Sequence, residues 1–585
     1  MQVSRRLFLK GSASTAGIAA LNLSSPMAHA FSESCDNDMA HKALVGINLG
    51  GGNDGFNCFI PKNDTEYNEY KALRGSLAFE NNEVSCLKLL GDDAKLGLSP
   101  ELNDLKWLFD DGLALPVVNV GPLTQERKPD THIDDLKPIH IFSHNHQSTI
   151  TQTNTRETIG NQGWGGLSAY ILDNSYGLKE LPPLFEVGSQ TVWTNSLPKS
   201  ANRIGTSLPP AMSLEEHGAE LYAGFRRSHA TKDSLFKKYY AEMCDEAKNN
   251  FDEFGQIFDE GDDYGFNVET SIGRQLKTVL LLLDSRDKFD HPVQFFSVTL
   301  GGFDTHASQK EDQGALLRLL ASQVSNFYCE LKSRGLMDSV TTFTFSEFGR
   351  TLEPNGSGTD HGWGNCQMVL GGDVLGDRVL GEWPNLAEGS KDLMTRGRVV
   401  PTMSVDLFHA SLLNWVGIKE SCLEHLFPSL KEFDQKALPI FRSCDNGNDT
   451  KLEIIGATAS AENPNGIDKI SHGYDKDMST KWSAKGQGVT YTVELESLST
   501  VHSVRFAQMK GQERSYRLDI ETSQDGYTFD ALLSIRTEGK SDEMVAYPLG
   551  SLKARFVRFV CNGNSDSDES LKDWTNFRNI EVLGR

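Results

Sequence analysis

Four short clusters along this 585-residue sequence combine carboxylates and imidazoles with glycine. GGGNDG carries Asp54, GGFDTH carries Asp304 and His306, SEFGRT carries Glu347 and Arg350, and GTDHGWG carries Asp360 and His361. Carboxylate oxygens and imidazole nitrogens are what divalent cations bind, and neighbouring glycines let distant backbones approach closely. Each cluster also has a plainer reading: Asp304 and His306 as a helix cap, Glu347 with Arg350 as an ion pair, Asp360 and His361 as an Asx turn. The spacing of Gly50, Gly52 and Gly55 also fits a dinucleotide loop. Asp54 would repel a pyrophosphate, however, and the adjoining NCFIPKND puts a proline where the helix must run. Four clusters of one kind point to a single metal or substrate site. Asp54, Asp304, His306, Glu347, Asp360 and His361 are its candidate ligands, and Arg350 is the cation for an anionic transition state.

The elements that must position these residues can be read from the apolar patterning. Runs at 43–49, 113–120, 292–300 and 339–346 alternate with helical stretches such as 314–335, which predicts an α/β domain with a largely parallel sheet. Three of the clusters begin where such a run ends, and ligands of open α/β sheets gather at the carboxyl ends of strands. Residues 228–290 read as mostly helical, an insertion or cap. The polar, turn-rich SCDNGNDTK at 443–451 is the expected linker. Beyond it, TYTVELE, VHSVRFAQM, YRLDIETS and ARFVRFV come in quick succession, which predicts a β-sandwich over 452–585.

The chain opens MQVSRRLFLKGSASTAGIAALNLSSPMAHA, where Arg5 and Arg6 precede an apolar, small-residue stretch and an Ala-His-Ala exit. This tripartite pattern predicts a twin-arginine signal peptide over residues 1–30, cleaved after Ala30. Cys35 follows Glu33 and Ser34, so no lipobox is present. The expected partner is the twin-arginine translocase, and the expected compartment is the periplasm or beyond. No later segment offers the roughly 18 uninterrupted apolar residues of a transmembrane helix. A net charge of −23 argues against nucleic acid or an anionic membrane as the main partner. Nine cysteines without a CxxC pair give neither a zinc-ribbon nor a redox motif.

GGNDGFN, GWGG at 163–166, GGFDTH, SEFGRT, GTDHGWG and GGDVLG at 371–376, in that order, resemble the bacterial family named domain of unknown function 1501, within the expected domain at 31–442. The resemblance implies kinship with the alkaline phosphatase and sulfatase superfamily. That means a doubly wound sheet, two divalent metals (zinc, manganese or calcium) at its carboxyl edge, and a nucleophile between them. Under it Asp54 matches the aspartate ending the first strand, and Asp304 with His306 holds the first metal. Glu347 replaces an aspartate, Phe348 stands where relatives carry a histidine, and either His361 with Asp360 supplies the later histidine or the Asp-His pair is itself displaced by an insertion. IFSHNHQSTITQTN lies where the nucleophile belongs, offering Ser143, Ser148 and Thr149 beside His144 and His146; Ser148 is the candidate. A Cys/Ser-x-Pro-x-Arg sequence is absent, which argues against a formylglycine sulfatase.

In the tail, YDKDMSTKWSAKGQGVTYTVEL, FAQMKGQERSYRLDIETSQDGYTF and ARFVRFVCNGNS resemble the discoidin, or coagulation factor V/VIII type C, domain, close to carbohydrate-binding module family 32. The resemblance implies an all-β jelly-roll sandwich with a structural calcium at Asp475, Asp477, Thr480 and Glu581. Arg514, Tyr516 and Trp574 are the candidate loop contacts to a polysaccharide or cell-surface glycan. Two functions stand as expectations. One is a metal-dependent hydrolase of phosphate or sulfate esters, targeted by its tail. The other is a binding or assembly protein on a degenerate hydrolase scaffold.

Overall fold

Near-continuous apolar runs give strands with two buried faces, the pattern of a sheet covered on both sides. The computed structural model describes residues 41–89, 96–176, 182–206, 262–442 and 449–584, apart from 154, 156–159, 197–200, 538 and 540, together with 220, 223, 224 and 257. The signal-peptide reading, with Arg5 and Arg6, lies outside the described residues, as does nearly all of 228–261. Eight strands form one sheet: β1 (Lys42–Gly50), β2 (Ala114–Gly121), β3 (Leu184–Val187), β4 (Asn202–Ile204), β5 (Val293–Gly301), β6 (Val340–Phe345), β7 (Asn365–Gly371) and β8 (Met403–Ser404). Their order is β8-β2-β7-β6-β1-β5-β3-β4. Every pairing is parallel except those of β7, which runs antiparallel to β2 and β6.

Among the described residues, six helices of ten or more residues cover the sheet or frame its carboxyl edge: α1 (Asp64–Arg74), α2 (His144–Thr153), α3 (Trp164–Tyr176), α4 (Ser271–Asp284), α5 (Gln309–Ser333) and α6 (Val405–Trp415). Along β1, Ala43, Val45, Ile47 and Leu49 enter one core with Leu276 and Leu280 of α4 and Leu317 and Leu320 of α5. Leu44 enters the other, with Trp164 of α3 and Phe408 and Leu412 of α6. The sheet is therefore an α/β layer with helices on both faces. Register does the positioning: Gly50 pairs with Gly301 and Asn48 with Phe345. The carboxyl ends of β6, β1 and β5 thus lie side by side, and antiparallel β7 begins at the same edge.

The tail is an antiparallel β-sandwich. Val489–Ala507 and Val545–Asn564 are its long central strands, and Trp482–Lys485 pairs with Trp574–Phe577 in a separate small sheet. Trp482, Tyr491, Phe506, Phe559 and Phe577 fill its interior. His502 meets the linker at Asp449 (2.6 Å) and the α/β module at Glu420 (3.5 Å). No described helix is long and apolar enough to cross a membrane.

Candidate metal centre

The turns leaving β1 and β5 pass so close that only glycine fits. Gly51 has φ +118°, and a Cβ there would sit 2.4 Å from the Asp304 nitrogen. Gly52, at φ +79°, has no room against the Phe348 ring. This crowding brings the clusters together. His306 Nε2, His361 Nε2 and Asp304 Oδ1 form a triangle with edges of 3.0, 3.2 and 3.4 Å. Ligands bonded tetrahedrally at about 2.0–2.1 Å have edges of about that length. His144, at the start of α2, adds its Nε2 3.5 Å from Asp304 Oδ2. One donor atom each from His144, Asp304 and His361 lies within 4.8 Å of the other two.

What backs the imidazoles fixes which nitrogen faces inward. Glu347 Oε1 accepts from His144 Nδ1 at 2.8 Å, and the Phe142 carbonyl accepts from His361 Nδ1 at 2.8 Å. Asp360 Oδ1 lies 3.4 Å from His306 Nδ1. An oxygen on Nδ1 leaves Nε2 as the free ligand atom, and such outer partners orient metal-binding histidines. His144 Nε2 is buried and has no hydrogen-bond partner among the described residues. A buried polar atom normally has one, so a donor atom without a partner, aimed at Asp304, fits a metal ligand. Phe348 stacks on His361 at 4.6 Å and packs against His144 at 4.8 Å, so its ring holds two imidazoles in place.

The charges pull in both directions, since the raised pKa of His144 favours its protonated form, whose proton a metal would have to displace. The hydrogen bond to Glu347 raises the His144 pKa above its ordinary value against the pull of burial. Burial pushes Glu347 up, but the bond and charge of His144 together with backbone N–H groups, that of Gly51 among them, outweigh it and hold the carboxyl low. Burial likewise opposes ionisation of Asp304, and Arg350 with His306 overcomes it. Burial lowers the pKa of His361, which favours the neutral ring a metal needs.

Not every residue read from the sequence joins this cluster as a ligand. Asp54 is buried, with Oδ1 paired to Arg74 at the end of α1 and Oδ2 accepting from Gln309 Nε2 at 2.6 Å. Glu347 and Asp360 stand behind histidines rather than among the inward-facing atoms. Arg350 is wholly buried; its donors go to Asp304 Oδ1 (2.8 Å) and to Thr359. It therefore orients Asp304 and has no arm directed at a bound anion. Ser148 lies inside α2, a turn beyond His144, whereas Ser143 Oγ is 2.8 Å from His146 Nδ1. The candidate ligand that sequence reasoning missed is His144, whose only mark was its place after the second apolar run in a histidine-rich segment.

Two family models match the chain. Residues 211–423 match the family described as "Protein of unknown function (DUF1501)", a span that holds Asp304, His306, Glu347, Asp360 and His361. Residues 456–576 match the "F5/8 type C domain". The C-terminal module is an F5/8 type C domain. No curated protein matches the chain. Among solved structures, "CBM32 of AlyQ in complex with 4,5-unsaturated mannuronic acid" is 26% identical over 23% of this chain and 97% of that one, with a TM-score of 0.21. "Truncated AlyQ with CBM32 and alginate lyase domains" is 26% identical over 23% of this chain, at a TM-score of 0.22, and the match spans only 34% of that longer chain. The family 32 module from C. perfringens NanJ in complex with galactose is 14% identical over 23% of this chain and 98% of that one, at a TM-score of 0.20.

Within the F5/8 type C module, Asp475, Asp477 and Thr480 share one loop: Asp475 accepts from Thr480 Oγ1 (2.8 Å) and from the Asp477 nitrogen (2.9 Å). Glu581 is taken by Lys451 at 2.6 Å. Tyr516 is a correction. It is fully buried, its hydroxyl donating to the Met509 carbonyl at 2.6 Å, and so cannot touch a glycan. Arg514 is held by Asp566 at 3.0 Å, and Trp574 is half-buried at the start of its strand.

Proposed function

We propose that this protein is an exported, metal-centred hydrolase of phosphate or sulfate esters. Its sheet would be of the alkaline phosphatase type, and its F5/8 type C module would direct it to a surface glycan. The observation that carries the reading is the gathering of donor atoms from His144, Asp304 and His361 within 4.8 Å of one another, with His306 Nε2 beside Asp304 Oδ1 and His361 Nε2 and each imidazole faced by an oxygen at Nδ1. Nitrogen-rich donors suit zinc or manganese better than calcium, which prefers oxygen. When bound there, such an ion supplies Lewis acidity toward an ester oxygen. His144, His306, His361 and Asp304 would hold it, and Glu347, Phe142 and Asp360 would orient them. Ser143, rather than Ser148, would be the attacking hydroxyl, since its Oγ lies 2.8 Å from His146 Nδ1, which could take its proton. Export by the twin-arginine route to the periplasm or beyond belongs to the same reading, since a chain that folds first can take up its metal first. A structural calcium at the Asp475 loop is a further part of it.

The test is a screen of zinc- and manganese-loaded full-length protein against aryl phosphomonoesters, phosphodiesters and sulfate esters. The reading expects turnover of one class, lost on chelation and in Ser143→Ala; loaded protein inert toward all three would contradict it. One observation favours the alternative of a binding or assembly protein on a degenerate scaffold. Asp54, which the two-metal pattern needs, is neutralised by Arg74, so the same inert result would support it.

A further inference from the structure

Arg350 is committed to Asp304 and Thr359, so an anionic ester at this site needs another cation. The hairpin formed by Leu393–Met394 and Arg398–Val399 supplies one at its tip. Arg396 and Gly397 both have positive φ, +68° and +64°. Hairpin turns with two such residues favour Asn-Gly or Asp-Gly, because a long side chain is strained at the first position. Strain kept at one residue in a well-fixed turn points to a use for that side chain. The turn is well fixed. The Gly397 carbonyl accepts from Leu352 N–H at 2.8 Å, Arg398 Nε donates to the His361 carbonyl at 2.9 Å, and the Arg398 guanidinium lies 4.5 Å from the Phe142 ring centre.

Arg396 reaches the metal centre through Asp360. Its Nη2 pairs with Asp360 Oδ2, while Asp360 Oδ1 faces His306 Nδ1 and accepts from Asn355 Nδ2 at 2.7 Å. The Arg396 side chain is 51% exposed, and its contact with Asp360 is an ion pair without an aligned hydrogen bond. Asp360 Oδ2 is buried with no other partner, so Nη2 stays on it, and the exposed remainder of the fork faces solvent. A guanidinium fork matches the oxygens of phosphate or sulfate.

We infer that Arg396 is the anion-binding residue of this site, its exposed N–H donors taking the charged oxygens of a phosphate or sulfate ester held beside His306 and His361 while Nη2 stays on Asp360 Oδ2. The inference rests on the metal-centre reading above. It makes Arg396 a specificity determinant: esters that keep a free anionic oxygen would be preferred over fully esterified, neutral ones.

The experiment is calorimetric titration of zinc-loaded full-length protein with inorganic phosphate and with sulfate, alongside Arg396→Ala, Arg396→Lys and Arg396→Gly. Wild type is expected to bind at least one anion, with affinity falling about tenfold or more in Arg396→Ala, as for loss of a charge-assisted hydrogen bond. Arg396→Lys should retain part of it. Arg396→Gly, which relieves the positive φ, should lose the anion as Arg396→Ala does. Equal affinity in Arg396→Ala, or no anion binding by zinc-loaded wild type, would overturn the inference. Protein that takes up no zinc would instead contradict the metal reading, and the role of Arg396 would fall with it.

Discussion

From a position wholly closed to solvent, Arg350 donates through Nη1 to Asp304 Oδ1 at 2.8 Å. Its Nε donates to Thr359 Oγ1 at 3.1 Å, and its Nη2 to the Thr359 carbonyl. Arg350 therefore positions Asp304, a ligand under the proposed reading. Arg350→Lys keeps the charge but loses the fork. Zinc affinity, measured by competition with a chromophoric chelator, should fall about 10–100-fold, the usual effect of an outer-shell change. Unchanged affinity would contradict this role.

A buried chain of polar contacts runs on from Thr359. Its hydroxyl donates to Gln309 Oε1 at 2.6 Å, Gln309 Nε2 donates to Asp54 Oδ2, and Asp54 pairs with Arg74. Asp54→Asn should therefore act on the fold, leaving Arg74 buried without its counter-charge at a cost of about 3–5 kcal/mol. Chemical denaturation measures that loss, and metal content per folded molecule should be unchanged. Loss of metal with normal stability would return Asp54 to the ligand set.

His502 pins the F5/8 type C module to the linker and the α/β module. Burial alone would lower its pKa, but bonds to Asp449 and Glu420 outweigh it and push it up to about 9. In the unfolded chain histidine titrates near pH ~6.5. A raised folded value means the contribution is complete below that pH and is lost as pH rises through about 9. Stability measured by denaturation should fall between pH 7 and 9.5 in wild type and more shallowly in His502→Gln. Equal slopes would rule the pin out.

Much of this architecture was legible because it rests on local pattern. Apolar runs placed β1, β2, β5 and β6 within a residue or two, and glycines after three strand ends marked where acids and imidazoles collect. Partners fixed only by the tertiary fold were not legible. Arg74 lies 20 residues from Asp54 in sequence, at the end of a helix, with nothing in the spacing to join them. His144 arrives through a loop whose His140 and Phe142 adopt φ of +49° and +75°, a path no periodicity encodes. Tyr516 was misread for a different reason. Its alternation with Leu518 and Ile520 already put it on the buried face, and the loop reading ignored that period.

The central claim is that three imidazoles and Asp304 share one ion. X-ray absorption at the zinc edge of zinc-loaded full-length protein tests it most directly. The expected result is a first shell of three imidazole nitrogens and carboxylate oxygen at about 2.0–2.1 Å, with one imidazole missing in His144→Ala. An oxygen-only shell, or a His144→Ala spectrum identical to wild type, would contradict it.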